Sequence, residues 1–277
     1  MTDPDKIKVQ LLELLQNKQN SASELSWLLL DKLEEILRNG RGEAVRGLQL
    51  CLPSLLGVRA EISIFDWVFH QLLPVLNEPT PEPAKVGAKV RLVRTILQES
   101  TEKVVHDAVG LFKIKGWDKV LTLSYSTTCL RTIQEWVPSQ VVVLESRPGS
   151  EGIRLAEEIA QIMPRTQVVL VPDAEGPAFV KDTDVVLLGV DYIFPDGSIS
   201  NKVGSLGLAI VAAMVGVPVV AVGTQLKRME RPSTEYRPVT CQPKELVAEP
   251  ELLPPNVEVL AHLFEVVPKK FLNYSFF

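Results

Sequence analysis

At Trp117 the spacing of apolar residues changes from helical to strand-like, and that change constrains the fold more than any other feature of the chain. Short runs rich in Val and Leu occupy Lys119–Leu123, Gln140–Leu144, Gln167–Val171, 184–188 and 217–222. Amphipathic stretches of helix length lie between them. Continuous apolar strands are buried on both faces, and strands alternating with helices run parallel. Pro218 stands at the start of its run, where a missing N–H is tolerated. The fold class expected is α/β, with a helical N-terminal domain over 1–116 and a Rossmann-like parallel-sheet domain over 117–277.

Before Trp117 the pattern is helical throughout. Ile7, Leu11, Leu12, Leu14 and Leu15 recur at helical spacing. Ser21 or Ser23 is a natural N-cap for a second helix carrying Leu28, Leu29, Leu30, Leu33, Ile36 and Leu37. That helix is expected to stop at Asn39-Gly40. Further helices are expected over 45–56, 62–76, 86–97 and 102–115. The proline-rich segment 77–83 separates 62–76 from 86–97, since proline cannot continue a helix.

Composition narrows the function. The chain has 277 residues and a formal net charge of −5, which gives no general attraction to a polyanion. Nucleic acid is not an expected partner. Cys51, Cys129 and Cys241 form no CxxC pair, and His70, His106 and His262 are dispersed, so no metal site is expected. The start of the chain is acidic, and no apolar run approaches the ~18 residues of a membrane span. A cytoplasmic protein without membrane contact is expected. No GxGxxG follows the first strand and no GxxxxGK[ST] occurs, so neither a dinucleotide nor a P-loop is indicated, and no cofactor is expected.

The strand ends carry the chemistry. The first strand runs into Ser124-Tyr125-Ser126-Thr127-Thr128, the second into Glu145-Ser146-Arg147-Pro148-Gly149, the third into Pro172-Asp173 and the fourth into Gly189-Val190-Asp191. Right-handed crossovers put all four on one edge of the sheet, where open α/β sheets bind ligands. Asn201, Lys202, Gly204 and Ser205 then precede a helical pattern. Helix N-termini suit anions, and arginine adds a fork matched to phosphate oxygens. Each residue has a plainer reading: Ser124 to Thr128 can cap a helix, Arg147 can pair with Glu145, and Asp196-Gly197 and Asp191 can be turn residues. Their convergence points to a small, polar, phosphorylated ligand.

These residues resemble the superfamily of the initiation factor 2B regulatory subunits, ribose-1,5-bisphosphate isomerase and methylthioribose-1-phosphate isomerase. The resemblance lies in Val120-Leu121-Thr122-Leu123-Ser124-Tyr125-Ser126, in Glu145-Ser146-Arg147-Pro148 with Gly152, and in Gly189-Val190-Asp191-Tyr192-Ile193 through Asn201-Lys202-Val203-Gly204-Ser205. Ser21-Ala22-Ser23-Glu24-Leu25 and Pro53-Ser54 are similar to family segments in the N-terminal half. The resemblance implies a two-domain fold and a homodimer through the C-terminal domain. That expectation is joined by the nearly uncharged helix 206–215, which needs covering.

The family's isomerases use a cysteine in the first loop and an aspartate in the Gly-Ala-Asp loop. Here those positions are Ser124 and Asp191, the candidate catalytic pair, and the histidine before the cysteine is Leu123. The resemblance places Ser21, Ser23, Arg59, Ser126, Glu145, Arg147, Asn201 and Lys202 among the ligand-binding residues. An unassisted serine hydroxyl is far from ionising at neutral pH, unlike a thiol, and no histidine stands in these loops to activate it. The function expected is a protein of the initiation factor 2B type that binds a phosphorylated sugar or nucleoside monophosphate at the strand rim without efficient catalysis. The alternative is an aldose–ketose isomerase of ribose 1,5-bisphosphate or methylthioribose 1-phosphate, with Asp191 as base and Ser124, Cys129 or water as partner.

Overall fold

Leucines at every fourth position build the first part of the chain. In the computed structural model, which describes residues 4–17, 21–58 and 62–277, helix α1 (Pro4–Leu15) buries Ile7, Leu11 and Leu15 along one stripe. Helix α2 (Ala22–Cys51) begins at a reciprocal cap. Ser21 Oγ accepts from Glu24 N at 3.2 Å, and the Glu24 carboxylate accepts from Ser21 N at 2.8 Å. Such caps are worth about 1 kcal/mol. The expected helix limits need correction. The second helix does not stop at Asn39-Gly40; it runs through both residues to Cys51, so the separate helix expected over 45–56 is its continuation, followed by a 3-10 turn at Leu52–Leu55. Its buried stripe of Leu29, Leu33, Ile36 and Leu37 resumes with Ala44, Val45 and Leu48, and this burial outweighs the ~1 kcal/mol a helical glycine costs.

After α3 (Ser63–Leu76), the segments expected at 86–97 and 102–115 are a single helix, α4 (Pro83–Lys115). Thr101 satisfies its hydroxyl on Leu97 O at 2.8 Å, so the polar stretch between them stays helical. The chain divides into two compact units, Met1–Glu102 and Lys103–Phe277, and the division falls inside α4.

The second unit is built on a six-stranded, all-parallel sheet. Its strands are β1 (Lys119–Leu123), β2 (Gln140–Leu144), β3 (Gln167–Val171), β4 (Val185–Leu188), β7 (Val219–Val222) and β9 (Tyr274–Phe276), in the order β3-β2-β1-β4-β7-β9. The last strand carries no alternating pattern long enough to read in sequence. Between them stand α5 (Thr127–Trp136), α6 (Glu151–Ile162), the short α7 (Gly176–Phe179) and α8 (Ser205–Val215). A small second sheet joins β5 (Tyr192–Ile193), β6 (Ile199–Lys202) and β8 (Phe264–Val267), with the one-turn helix α9 (Pro243–Leu246) before β8.

Alternate residues of each strand face opposite layers. Val120, Val141, Val143, Val185 and Leu187 pack with Phe112 of α4, Ile133 of α5 and Ile159 of α6. Leu121, Leu123, Val142, Leu144, Val186 and Leu188 pack with Leu208, Ala209 and Ala212 of α8. Burial on both faces is why these strands read as unbroken apolar runs. Strand order reverses between β1 and β4, so the carboxyl ends of those two strands flank the crevice where such sheets bind ligands.

Candidate functional site

Parallel register puts the ends of β1, β2, β3 and β4 on one edge of the sheet. The backbone there is bent as ordinary turns are not. Ser124, Ser146 and Ser150 have φ of 64°, 70° and 59°, the left-handed region that L-residues seldom occupy. Cooperating contacts hold them. Ser124 N donates to Ser146 Oγ at 2.6 Å, and Ser146 Oγ donates to Leu144 O at 2.9 Å. Both oxygens of Asp173, beyond β3, accept from the β2 loop: Ser146 N at 2.7 Å and Arg147 N at 2.6 Å. Three strand ends are thereby tied together.

Ser124 and Lys202 meet on one atom. Glu151 Oε1, at the first residue of α6, accepts from Ser124 Oγ at 2.9 Å and lies 2.8 Å from Lys202 Nζ. Lys202 also donates to Pro148 O at 2.5 Å and is buried, whereas the Glu151 side chain keeps 30% of its surface open. Sequence reasoning expected Asn201 and Lys202 to lead directly into a helix. They belong instead to strand β6, which pairs with β8 and carries both side chains into the interior. Asn201 donates to Ser205 Oγ at 3.0 Å.

Across the β1/β4 crevice, Ser126 caps α5 by accepting from Cys129 N at 3.3 Å. Gly189 faces it so closely that a Cβ there would stand 2.9 Å from Ser126 Cβ and 3.4 Å from Asn201 Oδ1. Asp191 is half-buried, and its N–H donates to Ser200 O at 2.8 Å. Beneath it lies a group that sequence reasoning missed. Lys227, buried after β7, donates to Val190 O at 2.7 Å. Burial lowers the pKa of its ammonium, while the negative charge of Asp191 opposes that shift. Cys129 is fully buried, and desolvation pushes its pKa up to about 12. Burial thus favours the neutral thiol form of Cys129.

The remaining candidates lie as follows. Arg147 is exposed and its guanidinium donates to Leu246 O at 2.9 Å. Glu145 is half-buried and shapes the turn through its backbone, with its N–H on Val171 O and its carbonyl accepting from Gly152 N. Ser21 is the N-cap of α2 and Ser23 sits in that helix's first turn, both in the first unit. Arg59 lies outside the described residues.

The N-terminus of α8 is not open to an anion. Glu265 Oε1 accepts from Gly204 N at 2.7 Å and Leu206 N at 2.9 Å, so a carboxylate of the protein fills it. Among the described residues no group of three or more His, Cys, Asp or Glu is arranged to hold a metal, and no helix is long and apolar enough to cross a membrane.

A sequence profile of the initiation factor 2 subunit family matches residues 11–275. The chain is 31% identical over 123 residues to ribose 1,5-bisphosphate isomerase of Haloferax volcanii, covering 43% of this chain and 38% of that protein. It thus spans well under half of that relative's length. It is 25% identical over 283 residues to a translation initiation factor eIF-2B subunit 2-like protein of Pyrococcus furiosus, covering 98% of this chain and 94% of the relative. The translation initiation factor eIF-2B structure of Pyrococcus horikoshii superposes with a TM-score of 0.80 at 18% identity, over 97% of this chain and 94% of that one, a likeness of fold. With a match running almost from end to end, the chain belongs to the initiation factor 2 subunit family.

Proposed function

We propose that the strand-end rim binds a small phosphorylated sugar or nucleoside monophosphate, and that the protein acts as a binding or regulatory member of its family without efficient catalysis. Lys202 carries this reading. A buried ammonium at the point where three loops converge, beside the hydroxyl of Ser124, is an expensive placement for a merely structural charge. It is the group a phosphate oxygen would seek. Asp191 and Asn201 supply acceptors for sugar hydroxyls on the far side of the crevice. Against turnover stand the serine at the position of the family's cysteine and the un-ionised Cys129.

A second reading, an aldose–ketose isomerase, has one observation in its favour. Ser124 is not unassisted, because its hydroxyl donates to the Glu151 carboxylate. Asp191 would then be the base and Ser124 the second proton carrier. A homodimer belongs to either reading. The face of α8 bearing Ile210, Met214 and Val215 is apolar and 39%, 80% and 49% exposed, respectively.

A thermal-shift panel of ribose 5-phosphate, ribose 1,5-bisphosphate, methylthioribose 1-phosphate and nucleoside monophosphates tests the proposal. A ligand at 100 times its Kd stabilises the folded state by about 2.7 kcal/mol, a shift of several degrees. We expect at least one of these to raise the Tm of the wild type and not of Lys202→Met. No shift from any would refute binding. Turnover of ribose 1,5-bisphosphate that disappears in Asp191→Asn would favour the isomerase.

A further inference from the structure

The donors of the rim are already paired, and one pairing differs from the rest. Asp173 is held by two backbone N–H groups, and Glu265 likewise by two. Glu151 instead sits between a hydroxyl and an ammonium, with one oxygen taking both hydrogen bonds. Its other oxygen lies over the Pro148-Gly149 turn. A Cβ on Gly149 would stand 2.7 Å from Oε2 and 3.8 Å from Lys202 Nζ, so the turn lies close over the pair.

The two partners are unequal. Lys202 is 4% exposed and fastened to Pro148 O, so its ammonium is held in place. Glu151 is 30% exposed and opens a helix, so its side chain can rotate outward without disturbing the strand.

We infer that Glu151 is a built-in counter-anion occupying the oxyanion seat of the rim, and that an anionic ligand group binds by replacing its carboxylate between Ser124 and Lys202. The inference rests on the phosphate-binding reading above and deepens it. The seat is where Glu151 Oε1 stands, and its ligand class is an oxyanion able to accept from one hydroxyl and one ammonium. A phosphate monoester fits that requirement. Glu151 then sets selectivity as a competitor. Every anion must displace it and remain near its charge, so weak anions are rejected and only multiply charged ones with further contacts succeed.

The test uses the full chain, calorimetric titration with inorganic phosphate and ribose 5-phosphate, and the variants Glu151→Gln and Glu151→Ala. Both variants are expected to bind ribose 5-phosphate about tenfold or more tightly than the wild type, because the competing charge is gone. Without phosphate they should melt at lower temperature than the wild type, since Lys202 loses its partner. Phosphate should raise their Tm by more than it raises that of the wild type. Glu151→Ala keeps the test open should the glutamine variant fold poorly. Wild-type binding that is unchanged or weakened in both folded variants would overturn this inference alone and leave the binding reading standing. Binding by neither wild type nor variants would overturn both.

Discussion

Gly152 marks how tightly single residues define the rim. A Cβ there would stand 1.8 Å from Leu144 O and 2.8 Å from Ser146 Oγ, and a backbone carbonyl cannot step aside. Gly152→Ala should cost about 3 kcal/mol or more, read by urea unfolding, and should disturb Ser146 and hence Ser124. The buried thiols make a separate prediction. Their pKa values rise from 9.0 to about 12 for Cys129 and about 11 for Cys51, mainly through desolvation. The folded values lie above the unfolded one, so stability is intact below pH 9 and falls as pH rises toward them, because only the unfolded chain releases the proton. Each thiol contributes a slope of about −1.4 kcal/mol per pH unit. Urea unfolding between pH 9 and 11 should show this, and Cys129→Ala should flatten it by one proton whatever its effect on absolute stability. Ser124→Cys restores an ionisable thiol at the rim. Trace turnover of ribose 1,5-bisphosphate is expected there, abolished by adding Asp191→Asn, whose amide cannot accept the proton.

At the scale of elements, helix ends were the hardest feature to read and strand ends the easiest. Ser124, Arg147 and Asp191 were recognisable because a buried parallel strand ends where its apolar run ends, and all such ends share one edge. Glu151 was not recognisable. It reaches Lys202 only through a turn with left-handed Ser146, Gly149 and Ser150; Pro148-Gly149 announces a turn but not where that turn carries Glu151. Lys227 looks like a surface residue beside Arg228, and only the long-range fold brings it beneath Val190. Asn39-Gly40 resembled a helix stop because local propensity was the only signal, and the buried stripe beyond it decided otherwise. Helix α8 carries no charged residue, but charge alone does not say how much of it other elements cover. Its exposed face supplies a prediction: Ile210→Asp with Met214→Asp should shift the sedimentation coefficient at micromolar concentration from dimer to monomer. A wild type already monomeric under those conditions would remove the dimer.

The molecule as a whole has the family fold, and the resemblance implies a change at one of its two reactive positions. The resemblance puts Asp191 at the family's aspartate position and Ser124 at its cysteine position, and Ser124 shares a carboxylate with the buried Lys202. On the proposed reading, that combination holds a phosphate ester without the thiolate that would help rearrange the sugar. In the proposed function, phosphate is held at Lys202. A crystal structure of the full chain with ribose 5-phosphate measures this directly. A phosphate oxygen about 2.7–2.9 Å from Lys202 Nζ, accepting from Ser124 Oγ, with the Glu151 side chain turned toward solvent, is the predicted result. A phosphate bound elsewhere, with Glu151 still bridging Ser124 and Lys202, would contradict it.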